Sequence, residues 1–224
     1  MAFLCRLCTN PTFDMKRLAI IGSGDLGQLI AHHAFGDNHY QIAGFFDDFC
    51  APDTLAGDYP VLGSVEAIWA QFQAGQFDEL MIGIGYKHLA VRRALFQRFS
   101  GQVPLGRVVH SSASVDASCR LGAGGFVLPG CVLDRNVVLA DNVLLNTACA
   151  IAHDSQVGAH TFLSPRVTMA GFVQIGEGCN IGINTTLIDN ITIGDGIQTG
   201  GGTVVIKSLE QPGLYVGNPA RFIR

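Results

Sequence analysis

The sequence predicts a small parallel α/β domain followed by a β-helix, and three observations carry that expectation. Counting in sixes from Val109 through Val115, Leu121 and Val127 onward to Val205 meets seventeen positions, sixteen of them bulky and apolar, with Thr199 the exception. The residue four places after each is restricted as well: Ala113, Cys119, Gly125, Cys131, Val137 and so on. Before this repeat, short apolar runs alternate with helix-patterned ones, as in a parallel sheet with crossover helices. A period of six matches neither a helix nor a simple strand, and a short fixed period marks a solenoid. One short strand and one turn per hexad, three hexads per coil, bury the apolar residue at each corner and the small one beside it. Seventeen hexads make between five and six coils of eighteen residues, a prism ~25 Å long at the usual ~4.8 Å strand spacing.

Taken in order, residues 1–15 are a leader, either an extended start or a disordered segment, too short and interrupted for a signal peptide. Lys16 to Ile21 is a strand ending in Gly22-Ser23-Gly24-Asp25-Leu26-Gly27, and LGQLIAHHAF has helical periodicity. Gln41 to Phe46 is a second strand closed by Asp47-Asp48, and Pro60 to Gly63 is a short extended piece. Ser64 to Phe72 reads as a helix with Ser64 as its N-cap and Glu66 in its first turn. Glu79 to Ile84 is the next strand, followed by Gly85-Tyr86-Lys87, a helix from His88 to Phe99, and an extended Leu105 to Val109. The expected division is 16–108 for the α/β domain, 109–210 for the β-helix and 211–224 for a cap over the open end of the solenoid.

Composition excludes several classes of function. A net charge of −4 leaves no basic footprint for nucleic acid. No apolar run approaches the length that spans a bilayer. Of the seven cysteines, Cys119, Cys131, Cys149 and Cys179 fall on the small inward position and read as packing. Cys5 and Cys8 form a CxxC-like pair with no matching partner, so no metal site is expected. Unpaired core thiols suit a reducing cytoplasm. Flat faces with few charges suit side-by-side association, so an oligomer is expected.

Two constellations carry chemistry. Gly22 to Gly27 matches G-x-G-x-x-G between a strand and a helix, where the backbone approaches a phosphate at the positive helix end. Asp47 and Asp48 end the second strand, where an acid in such folds meets a ribose hydroxyl. The domain is about half of a full dinucleotide fold, with no substrate domain behind it, so a nucleotide-linked ligand fits better than NAD. In the repeat, Ile151-Ala152-His153-Asp154 puts His153 outward at a turn, beside an acid able to raise its basicity. His160, also read as outward, is the rival base, and His110 at the domain junction reads as structural.

From Lys16 to Arg224 the chain resembles the bacterial hexapeptide acyltransferases that comprise sialic-acid O-acetyltransferases and UDP-4-amino-sugar N-acetyltransferases. IIGSGDLGQL, FFDDF, NTACAIAHDSQVG, and GINTTLIDN with TGGGTVV and YVGNPAR carry the match. The resemblance implies a left-handed parallel β-helix, a homotrimer with active sites between subunits, and acetyl-CoA as co-substrate without a metal. It also implies His153 as general base and Asp154 as the acid behind it, with Asn146 lining the pocket. Gly24, Asp25, Leu26, Asp47, Asp48, Phe49 and Gly85 would hold the nucleotide-linked amino sugar, and Ile183 and Gly201 acetyl-CoA. Phe162 stands where relatives commonly carry a second histidine at the acyl donor, and Tyr86-Lys87-His88 stands where many carry Asn or Asp. The implied reaction is N-acetylation of a UDP-4-amino-4,6-dideoxy type sugar for surface glycans. Acetylation of a sialic-acid type hydroxyl and a non-catalytic nucleotide-binding trimer stay open as alternatives; an NAD-dependent dehydrogenase is disfavoured by the size of the domain.

Overall fold

The computed structural model describes residues 15–224, so the Cys5–Cys8 pair and nearly all of the leader lie outside the described residues. Its N-terminal sheet runs β3 (Leu55–Ala56), β4 (Tyr59–Gly63), β2 (Gln41–Phe46), β1 (Arg17–Ile21), β5 (Glu79–Ile82). β1, β2, β4 and β5 are parallel, and β3 only folds back on β4 as a hairpin arm. The interior strand β1, between β2 and β5, is buried from Leu18 to Ile21, which is why it reads as an unbroken apolar run. Helices α1 (Asp25–Gly36), α2 (Ile68–Gln73) and α3 (Leu89–Phe99) make the crossovers. The segment expected to be one helix from Ser64 begins instead as a 3-10 turn, Val65–Ala67, and Ser64 makes no side-chain cap. Its first free amide, Val65 N–H, donates to Asp48 Oδ1 at 2.8 Å, so a carboxylate from the end of β2 does the capping.

From β6 (Val108–Val109) to β22 (Val204–Val205) the chain is a left-handed parallel β-helix of very short strands. Each strand pairs with the one eighteen residues on, as Val132 with Ala150 and Leu133 with Ile151. The coils build three flat faces. Face 1 contains β10 (Val132–Leu133), β13 (Ala150–Ile151) and β16 (Thr168–Met169); face 2 contains β14 (Gln156–Val157) and β17 (Gln174–Ile175). Face 3 contains β6, β9 (Phe126–Val127), β12 (Leu144–Leu145) and β15 (Phe162–Leu163), and is extended by β23 (Gly213–Val216) and β24 (Arg221–Phe222) from the C-terminal segment.

The turns explain the period. Every sixth residue from Gly124 to Gly202 takes a left-handed backbone conformation, with Asn136, Asn142, Asp154, Asn184 and Asn190 among them. Gly, Asn and Asp tolerate that region best. The apolar hexad residues, including Leu133, Leu145, Ile151, Leu163 and Ile181, fill the interior. Cys131, Cys149 and Cys179 are buried beside them, while Cys119 is half-buried with its thiol on the Asp134 carbonyl. Thr199, the polar exception, is buried but satisfied: its Oγ1 accepts from Gly182 N–H at 2.8 Å and meets Thr185 Oγ1 at 2.8 Å.

The α/β domain sits on face 3. Val108, Phe126, Leu144 and Phe162 point outward from that face into one apolar cluster with Leu18, Ile30 and Phe45. Arg92 on α3 ties the two parts together. It is fully buried, and its guanidinium donates to the carbonyls of Ile82 and Ile84 behind the glycine loop and of Asn142 on the prism. Burial pushes Arg92 down to about 10, so it keeps its charge at neutral pH. The same helix covers His160, correcting the expectation that this residue faces outward. His160 is buried, its Nδ1 within 3.0 Å of Asn142 Nδ2 and its ring edge-on to Phe96 at 5.2 Å.

Because Leu163 is fully enclosed in the prism, Leu163→Ala removes methyl groups from a rung that cannot collapse independently. Equilibrium denaturation is expected to show a loss of about 2–5 kcal/mol.

Candidate active site

The glycine loop and the prism wall enclose a cavity of about 500 Å³. Gly22, Gly24, Asp25 and Leu26 line one side, Gly85 to His88 the other, and Phe162 of β15 reaches in from face 3. The loop is compact because α1 presses into it: a Cβ on Gly27 would lie 1.9 Å from the Gly22 carbonyl oxygen. Gly24 has nothing within 4 Å of its Cβ position and leaves the cavity open.

Asp47 also lines the cavity, but its carboxylate is already occupied. Oδ2 accepts from Ser23 N–H at 2.9 Å and Ser23 Oγ at 2.6 Å, and Oδ1 accepts from Phe49 N–H at 2.9 Å. Burial pushes the Asp47 carboxyl up, yet the Ser23 hydroxyl and the two amides outweigh it and leave the pKa lowered. Asp47 is therefore an ionised anchor for the glycine loop. Asp48 and Phe49, expected at the same site, stand outside the cavity lining: Asp48 caps the Val65 turn and Phe49 projects almost wholly into solvent. The side chain of Phe162, expected at the acyl donor, is buried against this cavity with its ring 5.4 Å from Tyr86.

His153 and Asp154 lie elsewhere, at the corner between faces 1 and 2. Asp154 takes the left-handed conformation, φ 58°, which turns its side chain back toward its neighbour. His153 Nδ1 and Asp154 Oδ2 are 2.9 Å apart, a contact that adjacent residues on a straight strand do not make. The previous coil adds Asn136 Nδ2, which donates to Asp154 Oδ1 at 2.8 Å, and Arg135 Nη2, 3.3 Å from Oδ2. The Asn136 hydrogen bond, then His153 and Arg135, hold the Asp154 carboxyl down at about 2. An ionised carboxylate only accepts, so Nδ1 is the donor in this contact, which in the neutral imidazole leaves the lone pair on Nε2. Nε2 lies over Gly171 on the next coil, where a Cβ would come within 2.9 Å of it.

The corner between faces 3 and 1 gathers the rest. Asn146, Ile183 and Gly201 share it, and Ile183 and Gly201 stack closely enough that a Cβ on Gly201 would sit 3.0 Å from Ile183 Cγ2. Asn146 spends its Oδ1 on Thr147 N–H at 2.8 Å. Asn136, Arg135 and Gly171 had no place in the sequence expectations. Their signal was present: Asp154 minus eighteen is Asn136, and His153 plus eighteen is Gly171. Among the described residues no cluster of His, Cys, Asp and Glu is suited to a metal, and no helix is long and apolar enough to cross a membrane.

Comparison with known proteins agrees with this architecture. Residues 17–99 match the family model described as the PglD N-terminal domain. The acetyltransferase domain of PglB from Neisseria gonorrhoeae superposes with a TM-score of 0.85 at 28% identity, over 93% of this chain and 100% of that one. PerB from Caulobacter crescentus, solved with CoA and GDP-perosamine, gives 0.84 at 28% identity, over 92% of this chain and 97% of that one. A curated UDP-3-O-acylglucosamine N-acyltransferase from Bordetella avium is 33% identical over 118 residues, 52% of this chain. The chain spans about a third (31%) of that relative's length. In its solenoid and the domain in front of it the chain is similar to the hexapeptide-repeat acyltransferases.

The lowered Asp154 pKa has a pH consequence with a definite sign. A carboxyl held at about 2 against an ordinary 3.8 contributes stability that is complete above pH ~4 and lost as pH falls through about 2. Acid denaturation of wild type beside Asp154→Asn should therefore show a difference above pH 4 that closes as the pH approaches 2.

Proposed function

We propose that this chain transfers the acetyl group of acetyl-CoA to the amino group of a nucleotide-linked amino sugar, in a homotrimer whose active sites lie between subunits. The observation that carries the reading is the position of the two half-sites. The cavity opens beside face 3, the His153 corner lies on the opposite side of the prism, and one chain cannot bring them together. The Asn146–Ile183–Gly201 corner and the His153 corner both border face 1. Its outward residues, Ser114, Val132, Ala150, Thr168, Thr186 and Val204, are small and uncharged. A contact of one corner against the other corner of a second copy is head-to-tail, and such contacts close into rings.

In the proposed reaction the neutral amine attacks the thioester carbonyl carbon while His153 Nε2 takes its proton. Asp154 stabilises the imidazolium through Nδ1, the C–S bond then breaks, and the proton passes to the departing thiolate. Ile183 and Gly201 would lie along acetyl-CoA, with Asn146 near the reacting atoms. Gly24, Asp25, Leu26 and Gly85 would hold the nucleotide sugar on a loop braced by Asp47. The named relatives favour an amine acceptor: PerB was solved with GDP-perosamine and CoA, and the curated relative is an N-acyltransferase. A variant of GDP-perosamine N-acetyltransferase with one histidine replaced by alanine was also solved with both ligands.

Thiol release from acetyl-CoA, measured against UDP-, GDP- and dTDP-linked amino sugars and sialic acid, should appear with one amino sugar. His153→Ala should reduce it by ~10²–10⁴; normal turnover in that variant would overturn the mechanism. Gly24→Leu adds bulk to the cavity lining at a position where a Cβ meets nothing within 4 Å and should also be inactive. Co-assembled with His153→Ala it should recover about a quarter of wild-type turnover, since each site draws its two halves from different chains. No recovery would refute the shared site.

A further inference from the structure

The corner column that carries the catalytic pair reads Asn136, Asp154, Phe172, Asn190, one residue per coil, all in the left-handed region. Three of the four are of the type that region favours. Phe172, at φ 59°, is not, as His160 and Arg166 on other corners are not: a bulky side chain there is strained, and what sets Phe172 apart is the neighbour its ring meets. The ring is half exposed, 51%, so burial does not account for it. What the ring does touch is His153. The two ring centroids are 5.2 Å apart at 88°, the perpendicular arrangement that aromatic pairs prefer. The backbone reinforces the contact, with Phe172 N–H donating to the His153 carbonyl at 3.1 Å.

We infer that Phe172 is a positioning residue: its perpendicular ring and the space above Gly171 fix the plane of the His153 imidazole, and with it the direction of Nε2, at the corner between faces 1 and 2. Asp154 alone restrains His153 at a single atom, Nδ1, which leaves the imidazole free to swing about that hydrogen bond. Gly171 provides room on one side, and the Phe172 ring closes another. An Asn at this position would relieve the backbone but leave that side of the imidazole open to water. The aromatic residue is thus held in an unfavourable conformation for what it does to its neighbour.

This inference rests on His153 as the base, and the experiment separates the two. Phe172→Asn, Phe172→Tyr and His153→Ala are compared in the thiol-release assay, with thermal denaturation of each. Phe172→Asn is expected to lower kcat about tenfold, with KM for acetyl-CoA and for the amino sugar unchanged within a factor of two and a Tm no lower than wild type, because an αL-tolerant residue replaces a strained one. Phe172→Tyr, which restores the ring, should recover kcat to within about twofold. A kcat unchanged in Phe172→Asn, or a loss that follows a fall in Tm, would overturn the inference while leaving His153 as base. A normal kcat in His153→Ala would instead remove the reading on which it depends.

Discussion

The left-handed corner residue is the constraint on which this molecule depends. Each corner of the prism must turn the chain from one face onto the next, and from Gly124 to Gly202 the backbone does so by placing every sixth residue at positive φ. That requirement favours Gly, Asn and Asp at most corners, with Ala148, His160, Arg166 and Phe172 the exceptions, spaces the apolar residues six apart, and brings the Asp154 carboxylate onto the His153 ring. The geometry of the turn and the geometry of the His153–Asp154 contact are one feature. Elsewhere an Asp in this conformation is only a tolerated turn residue; here its neighbour is an imidazole and its carboxylate is further held by Asn136 from the coil before.

The α/β domain contributes by where it sits. Phe126, Leu144 and Phe162 convert face 3 from a solvent face into a domain interface, and Arg92 joins the back of the glycine loop to the prism through carbonyls alone. Breaking such a contact leaves buried carbonyls without donors, so loop and prism move as one body. Gly22 and Gly27 then hold a turn whose dimensions are set by α1 and whose anchor is Asp47. The cavity is accordingly rigid on three sides, and the prism itself supplies the fourth wall through Phe162.

Much of this was legible in the sequence because a short repeat converts position into place. The hexads, the inward cysteines and the order of strands and helices all follow from counting, whereas the His153–Asp154 contact needed the turn geometry that places Asp154 at positive φ. What counting missed has physical causes. Asp48 was read as a ligand because acids end the second strand in nucleotide-binding folds, whereas the free Val65 amide needed an acceptor and Ser64 did not supply one. His160 was read as outward because its hexad position is outward; only the packing of α3 against that corner buries it. Phe162 occupies an outward position too, and it lines the glycine-loop cavity because face 3 is the covered face. These are tertiary facts, set by which face the first domain chooses.

Arg92 and the face 3 cluster fix the first domain to particular coils, and the eighteen-residue register fixes every later corner relative to it. The prism therefore works as a protractor as well as a scaffold. Lengthening the chain by one hexad between Phe126 and Ala150 would carry His153 a third of a revolution around the axis, onto a corner under or beside the α/β domain. Adding a whole coil would keep its bearing and change only its height. Descent with insertion in such a chain is quantised: angular placement of the chemistry survives only additions that complete a circuit.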